Sequence, residues 1–393
     1  MLKLLLFSTL YPNAAQPIHG PFVERRLLKL LASGACEARV VAPVPWFPWK
    51  SDRFGKYAEF ASVPVRERRN GVDVLHPRYP LIPKVGMTLA PLLLASAALP
   101  TLRGLISDGY DFDVIDAHYY YPDGVAAALL GRWLNRPVTI TARGTDINLI
   151  PEYRVPRALI RWASRQSAAS IAVCEALKTE MVELGMDAGQ IHVLRNGVDL
   201  EHFRPVDRAD SRRQLGLSEG RWLLSVGLLI ERKGHDIPIR ALSDLPGWSL
   251  MIAGDGPLRQ SLQELADKLG VAGRVRFLGN VPQSELPLYY SAADALVLAS
   301  SREGWANVLL ESMACGTPVI ASSVWGTPEV VAAEEAGVLM SERTPAGMVQ
   351  AVADLERRSP SRDRTRAYAE QFDWMPTTKG QLAIFERLVR RAA

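Results

Sequence analysis

Short apolar runs of strand length alternate with segments of helical periodicity along almost the whole chain. In the first half, 2–10, 38–43, 114–117, 138–142 and 169–173 read as strands, and 21–33 and 124–133 read as helices between them. The second half repeats the rhythm at 222–226, 249–253, 275–278, 295–298 and 318–321. Strands that are apolar throughout belong to sheets covered on both faces, and a strand–helix–strand order makes such sheets parallel. The pattern predicts an α/β chain of two Rossmann-like, doubly wound domains facing a central cleft, with ligands at the carboxyl ends of the strands. A length of 393 residues, more than one core usually supports, agrees with two domains.

The join between the domains is legible. LRNGVDLEHFRP (Leu194–Pro205) follows the strand-like IHVL with a turn and then an extended, proline-ended segment. This divides the chain into a first domain over 1–195, a linker over 196–205 and a second domain over 206–372. One apolar run, Val85 to Leu102, reaches membrane-spanning length, but Pro91 and Pro100 interrupt it and no second span accompanies it. The expectation is a helix or helix pair packed in the first domain or lying at a membrane surface. The apolar start, Leu4 to Leu10, is too short for a signal peptide and reads as a buried first strand.

Candidate chemistry concentrates in SREGWANVLLESMACGTPVIAS (Ser301–Ser322), where Glu303 and Glu311 stand with seven residues between them. Gly304 signals a tight turn, Asn307 an N-cap for the apolar run that follows, and Gly316 with Pro318 the stop. Glu303 then sits in the loop before a helix, and Glu311 about one turn inside it. The amides of Ala306, Asn307, Val308 and Leu309 at the helix start suit a diphosphate. Glu311 can accept from the vicinal hydroxyls of a ribose, and Glu303 from hydroxyls at the other end of the ligand. An anion cradle between two hydroxyl acceptors is shaped for a nucleotide-sugar.

The same stretch resembles the Glu, seven residues, Glu motif of the family-4 retaining glycosyltransferases, which have the GT-B fold. The family pattern is EG-x-PN-x-x-LE-A-MA-x-G-x-PV; here Ala306 replaces its Pro and Ser312 one Ala. The resemblance extends over essentially the whole chain. Leu194–Pro205 is similar to the family's interdomain linker, and residues 373–393 to its C-terminal helix, which crosses back onto the first domain. SVGLLIERKGHD (Ser225–Asp236) resembles the diphosphate-binding segment: Lys233 matches the family Lys, Leu228 stands where the family has Arg, and Arg232 is a candidate substitute. MIAGDGPLRQ resembles the family's GDGP turn, which implies backbone contact with the nucleotide at Gly254, and the next segment implies the same for Gly279 and Val281. As a dinucleotide fingerprint that turn fails, because Arg259 holds the place of the third glycine.

In the first domain, Gly20 lies between the first strand and its helix, and the resemblance implies that its amide faces the diphosphate. His118, after the strand Val114–Ala117, is expected to reach the cleft and touch the sugar or acceptor, or else to make a structural hydrogen bond. TITARGTDINL is similar to the family's T-x-HG-x-D, but Arg143 replaces a histidine that contacts the donor sugar in many members; Asp146 is retained. Arginine cannot act as a base, so Arg143 is expected to bind charge or hold the acceptor. Asp111 and Asp113 form a DxD, the metal signature of a different glycosyltransferase fold, yet they precede a strand start and read as solvated turn residues. No metal or other cofactor is expected.

Charge adds one asymmetry. Residues 1–196 hold 23 Lys/Arg and 17 Asp/Glu, the remainder 23 and 25, so the first half carries +6 and the second −2. Within the basic half, Arg154, Arg157, Arg161 and Arg165 fall on one helical face if a helix begins near Pro156. A solvated face and contact with an anionic membrane or lipid-diphosphate both account for it. Three scattered cysteines exclude a disulfide framework and suit a reducing cytoplasm, with peripheral contact at the inner face of the membrane.

The expectation is a metal-independent, retaining glycosyltransferase with Glu303, Lys233, His118 and Arg143 in catalysis. Its donor would be UDP- or GDP-linked, and its acceptor a glycan or glycolipid of envelope synthesis, as the family implies. The alternatives are a non-catalytic sugar-nucleotide-binding protein and an NAD(P)-dependent oxidoreductase. The second lacks a G-x-G-x-x-G after an early strand with an acidic residue about 20 positions on.

Overall fold

The computed structural model describes residues 1–81 and 86–392, and the chain divides into two compact units. Unit 1 is Met1–Arg195 with Met375–Ala393, and unit 2 is Asn196–Trp374. The segment expected to be a linker, 196–205, therefore belongs to unit 2. Val198 N–H donates to the Phe372 carbonyl at 2.9 Å. A Cβ on Gly197 would come within 2.6 Å of the Asp373 and Trp374 backbone, so this crossing admits only glycine. Helix Met375–Ala392 begins two residues later than expected and is built into unit 1.

Unit 1 holds the strands β1 (Leu2–Phe7), β2 (Cys36–Val41), β3 (Val44–Pro45), β4 (Arg66–Arg69), β5 (Val72–Leu75), β6 (Arg78–Tyr79), β7 (Val114–His118), β8 (Val138–Ala142), β9 (Ala169–Ala172) and β10 (Ile191–Val193). Eight of them form one sheet in the order β10-β9-β8-β7-β1-β2-β5-β4, parallel except for β4, while β3 and β6 pair separately. Leu4 to Phe7 are buried on both faces of β1, as a central parallel strand requires. Helix Pro21–Leu31 covers one face with Val23, Leu27 and Leu30, and Ile384, Phe385 and Leu388 of the last helix join the same core.

Unit 2 holds β11 (Arg221–Val226), β12 (Trp248–Ala253), β13 (Val275–Gly279), β14 (Ala295–Leu298), β15 (Val319–Ser322) and β16 (Gly337–Met340). They form a fully parallel sheet in the order β13-β12-β11-β14-β15-β16. Sequence order reverses between β11 and β14, which opens a crevice beyond their carboxyl ends. In unit 1 the same reversal falls between β1 and β7.

The apolar run expected from Val85 forms one 22-residue helix, Gly86–Ser107, with Pro91 and Pro100 inside it; Val85 itself lies outside the described residues. The basic helix begins at Arg154 rather than near Pro156.

Candidate functional site

In unit 2 the loops after β11 and β14 are laced together at the crevice. Ser301 N–H donates to the Arg232 carbonyl at 2.8 Å, and the Arg232 guanidinium returns a 2.7 Å bond to the Arg302 carbonyl. Those bonds set Lys233 Nζ 2.6 Å from Glu303 Oε1, with an Arg232 nitrogen 3.6 Å from the same oxygen. Glu303 is buried, and Lys233 and Arg232 are half-buried. An ammonium has three donors, and one of them is used on Glu303. Leu228, at the position where the family has arginine, is 54% exposed and brings no charge.

The turn that carries Lys233 is held by backbone approach. His235 accepts from Ser225 Oγ through Nδ1 at 2.9 Å and donates through Nε2 to the Leu228 carbonyl at 3.2 Å. Burial pushes its pKa down to about 4, which keeps the ring neutral in that role. Gly254 N–H donates to the Gly279 carbonyl at 2.7 Å, and a Cβ on Gly254 would lie 1.9 Å from the Gly227 carbonyl oxygen. Gly254 and Gly279 are thus brought together, with Val281 two residues further on and half-buried.

Helix Asn307–Ala314 follows Glu303 as expected, with Glu311 inside it and Gly316 at φ +77° ending it. Two details differ. The N-cap is Ala306, because the Asn307 side chain accepts from Asn196 Nδ2 at 3.4 Å instead of capping the helix. Of the four amides expected at the helix start, Asn307 N–H already donates to the Trp305 carbonyl and Leu309 N–H to the Ala306 carbonyl, both at 3.1 Å. The cradle therefore reduces to Ala306 and Val308. Glu311 is buried and accepts from Tyr290 Oη at 3.0 Å, and Trp305 Nε1 donates to the Asn196 carbonyl at 3.0 Å. Tyr290, His235, Trp305 and Asn196 are supporting residues that no spacing in the sequence marked.

In unit 1 the expected residues meet in a second group. His118 is buried and makes hydrogen bonds within unit 1, the second of the two roles expected for it. Its Nε2 lies 3.2 Å from Asp116 Oδ2 and its Nδ1 2.5 Å from an Arg143 nitrogen. Arginine can only donate, so Nδ1 accepts and Nε2–H donates to Asp116. Burial, opposed by Asp116 and aided by Arg143, takes the His118 pKa down to about 4, in keeping with this neutral tautomer. Arg143 also lies over the Phe22 ring, 5.3 Å from its centroid, and burial with the nearby Arg26 lowers its pKa to about 9. Asp146 accepts from the backbone amides of Tyr120, Arg143 and Gly144, so it shapes the loop that presents Arg143. Asp116 is further held by Thr139 Oγ1 at 2.9 Å and Gln381 Nε2 at 2.8 Å.

Gly20 adopts φ +70°, and a Cβ there would meet the Leu10 carbonyl oxygen at 2.5 Å, so the loop after β1 needs glycine at this point. Asp111 pairs with Arg136, and Asp113 Oδ2 accepts from Lys3 N–H at 2.8 Å, so the DxD serves the fold of unit 1.

Two doubly wound units, one with a cation–carboxylate pair and a helix start at its strand-order reversal, define the GT-B class of glycosyltransferase. Solved structures agree on the fold. Sucrose-phosphate synthase from Thermosynechococcus elongatus superposes with a TM-score of 0.79 at 20% identity, covering 100% of both chains. HepE of Anabaena, solved with UDP and glucose, gives 0.74 at 20% identity over 98% of this chain and 100% of its own. In sequence, residues 207–372 match the Glycosyl transferases group 1 model and residues 57–202 the Glycosyltransferase Family 4 model. D-inositol 3-phosphate glycosyltransferase of Frankia alni is 32% identical over 312 residues, 72% of this chain and 76% of that protein. The chain belongs to glycosyltransferase family 4, and it is a glycosyltransferase.

Proposed function

We propose that the protein transfers a sugar from a UDP- or GDP-linked donor to an acceptor hydroxyl, with retention at the anomeric carbon and without a metal ion. The observation that carries this reading is the Lys233–Glu303 pair at 2.6 Å, set at the β11/β14 reversal beside the start of helix Asn307–Ala314. In the transfer the bond from the anomeric carbon to the diphosphate oxygen breaks and a bond to the acceptor oxygen forms. The departing phosphate oxygen takes the acceptor proton. Lys233, Arg232 and the Ala306 and Val308 amides stabilise the negative charge that builds on the leaving group. Glu303 holds sugar hydroxyls, and Glu311, braced by Tyr290, accepts from the ribose. Arg143, steadied by neutral His118, is assigned to charge on the acceptor or sugar, and the Gly20 amide to the diphosphate. Asp111 and Asp113 are committed to Arg136 and Lys3, which supports the assignment of charge neutralisation to Lys233 and the amides instead of a DxD-bound cation.

The acceptor is assigned to a glycan or glycolipid intermediate, handled in the cytoplasm or at the inner face of the membrane. A second reading, a phosphorylated cyclitol acceptor, is favoured by the D-inositol 3-phosphate glycosyltransferase relative and by the positive charge of Arg143, which suits an anionic group.

The test is a thermal-shift screen of UDP-, GDP- and ADP-sugars followed by assay of the stabilising donor with glycolipid and inositol phosphate acceptors, with and without EDTA. A donor that binds the native state raises the midpoint by mass action. Absence of any shift, or activity lost in EDTA and restored by Mg²⁺, overturns the donor assignment or the metal-free assignment respectively.

A further inference from the structure

Unit 1 carries an apolar surface that neither its core nor the candidate site uses. Helix Gly86–Ser107 buries Pro91, Leu94, Ala95, Ala98 and Leu102 on one face. A helix on the surface of a soluble domain normally turns charged and polar residues outward. Here the outward face begins with Met87, Leu89 and Leu92, which are 42%, 42% and 49% exposed, and it stays uncharged through Ser96 and Pro100 as far as Arg103. By length and composition this helix could cross a membrane, but its packed face ties it to unit 1.

A second segment adjoins it. The rings of Phe47, Trp49, Phe54, Tyr57 and Phe60 are in mutual contact, with centroids 5.3 to 6.2 Å apart. Trp46, Trp49 and Tyr57 are 57%, 56% and 48% exposed. The two segments are joined through β6. Arg78 on β6 donates to the Phe60 carbonyl at 2.8 Å and also to the Val63 carbonyl, and β6 packs against helix Gly86–Ser107.

We propose that this face lies on an anionic lipid bilayer, with Trp46, Trp49 and Tyr57 at headgroup level and Met87, Leu89 and Leu92 entering the acyl boundary. Charge complementarity selects that occupant. Lys50 and Arg53 are exposed among the aromatic residues, with Arg53 over the Phe54 ring at 4.7 Å. Helix Arg154–Gln166 packs against the apolar helix and exposes Arg154, Arg157, Arg161 and Arg165. Tryptophan and tyrosine beside cations suit the interfacial zone, and basic side chains strengthen attachment to anionic lipid. A glycan would need hydrogen-bonding groups that Met87, Leu89 and Leu92 do not offer. The inference deepens the proposed membrane location and is independent of the donor assignment.

Flotation of the full chain, without donor, on phosphatidylcholine vesicles with and without phosphatidylglycerol tests it. Trp46→Ser with Trp49→Ser, and separately Leu89→Gln with Leu92→Gln, should each weaken vesicle binding roughly tenfold or more while the unfolding midpoint stays unchanged. Arg157→Gln with Arg161→Gln and Arg165→Gln should weaken binding only where phosphatidylglycerol is present. Failure of the native chain to float, or pair variants that float as it does, overturns the proposal. So does a loss confined to soluble glycan binding, which would make the surface a sugar shelf. Quenching of native tryptophan fluorescence by brominated lipid gives an independent check should a variant unfold, and its absence counts equally against the proposal. Loss of nucleotide-sugar binding with flotation intact would indict the donor reading alone.

Discussion

Of the two positions after β11 where the family pattern has a cation, Leu228 occupies one and Lys233 matches the other. Its ammonium is already oriented by Glu303 at 2.6 Å, so Lys233→Ala removes a charge and leaves a buried carboxylate without that partner. Turnover should fall roughly 100-fold or more, the scale of losing one main stabiliser of a leaving group. Leu228→Arg, at an exposed position, should be tolerated and tighten donor binding; steady-state kinetics on both variants checks the pair. Two buried groups in unit 1 set opposite pH dependences. His118 has a native pKa near 4, below its ordinary 6.5, so its contribution is complete above pH 6.5 and is lost as pH falls toward 4. Asp123, buried and held by Thr9 and Ser8, is pushed up to about 7 from 3.8, so its contribution is complete below pH 3.8 and is lost as pH rises through 7. Over their windows these amount to up to about 3 kcal/mol for His118 and about 4 kcal/mol for Asp123. Relative to the native chain, His118→Asn should lose stability as pH rises from 4 to 7, and Asp123→Asn should gain it. Urea unfolding at the two ends of that range reads the sign, and parallel curves for the two variants would refute the assignment.

At the scale of elements, turns decide how tightly the site is built. Gly254 sits at φ +148°, and a Cβ there would overlap the Gly227 carbonyl at 1.9 Å. Gly254→Ala should therefore destabilise unit 2 by about 3 kcal/mol and weaken donor binding with it, measurable by denaturant unfolding and nucleotide titration. Tyr290→Phe removes one hydrogen bond to the Glu311 carboxylate and should raise the donor KM about tenfold with little change in kcat. Glu303→Ala should instead act mainly on kcat. The sequence revealed those elements whose signals are local. Gly316 and Pro318 end helix Asn307–Ala314 where expected, and continuous apolar runs marked the central strands. The helix starts at Asn307 rather than being capped by it, because the Asn307 side chain pairs with Asn196, 111 positions away. Tyr290 and the partners of His118 leave no such local signal, because the hydrogen bond from one helix to Glu311 and the burial of His118 between Asp116 and Arg143 arise only from tertiary packing. The β4–β5 hairpin does carry a local signal: Asn70 and Gly71, at φ 47° and 82°, form the two-residue turn that antiparallel strands favour.

At the scale of the molecule, the chain closes unit 1 with its own end. Helix Met375–Ala392 supplies Ile384, Phe385 and Leu388 to the unit 1 core, and Gln381 accepts from Arg26 Nε at 2.9 Å while donating to Asp116 at 2.8 Å. Arg26 is fully buried, and burial takes its pKa down to about 10 against the opposing pull of Asp116. Three buried apolar side chains at about 2 kcal/mol each approach the whole stability of an ordinary domain. Ending the chain at Trp374 should therefore unfold unit 1 and release Arg143 and His118 from their setting. Unit 2 has a separate core around Leu250, Ile252 and Val297, and should survive. Limited proteolysis of the truncated chain is expected to leave a resistant fragment over 196–374 that still gains stability from the donor nucleotide. Gln381→Ala is the gentler version: it strips one bond from each of two buried charges, should cost about 2 kcal/mol and should lower activity through Asp116 and His118. A truncated chain in which both units resist proteolysis as before would show that the last helix only decorates unit 1, and that the Asp116–His118–Arg143 arrangement is held from within the sheet.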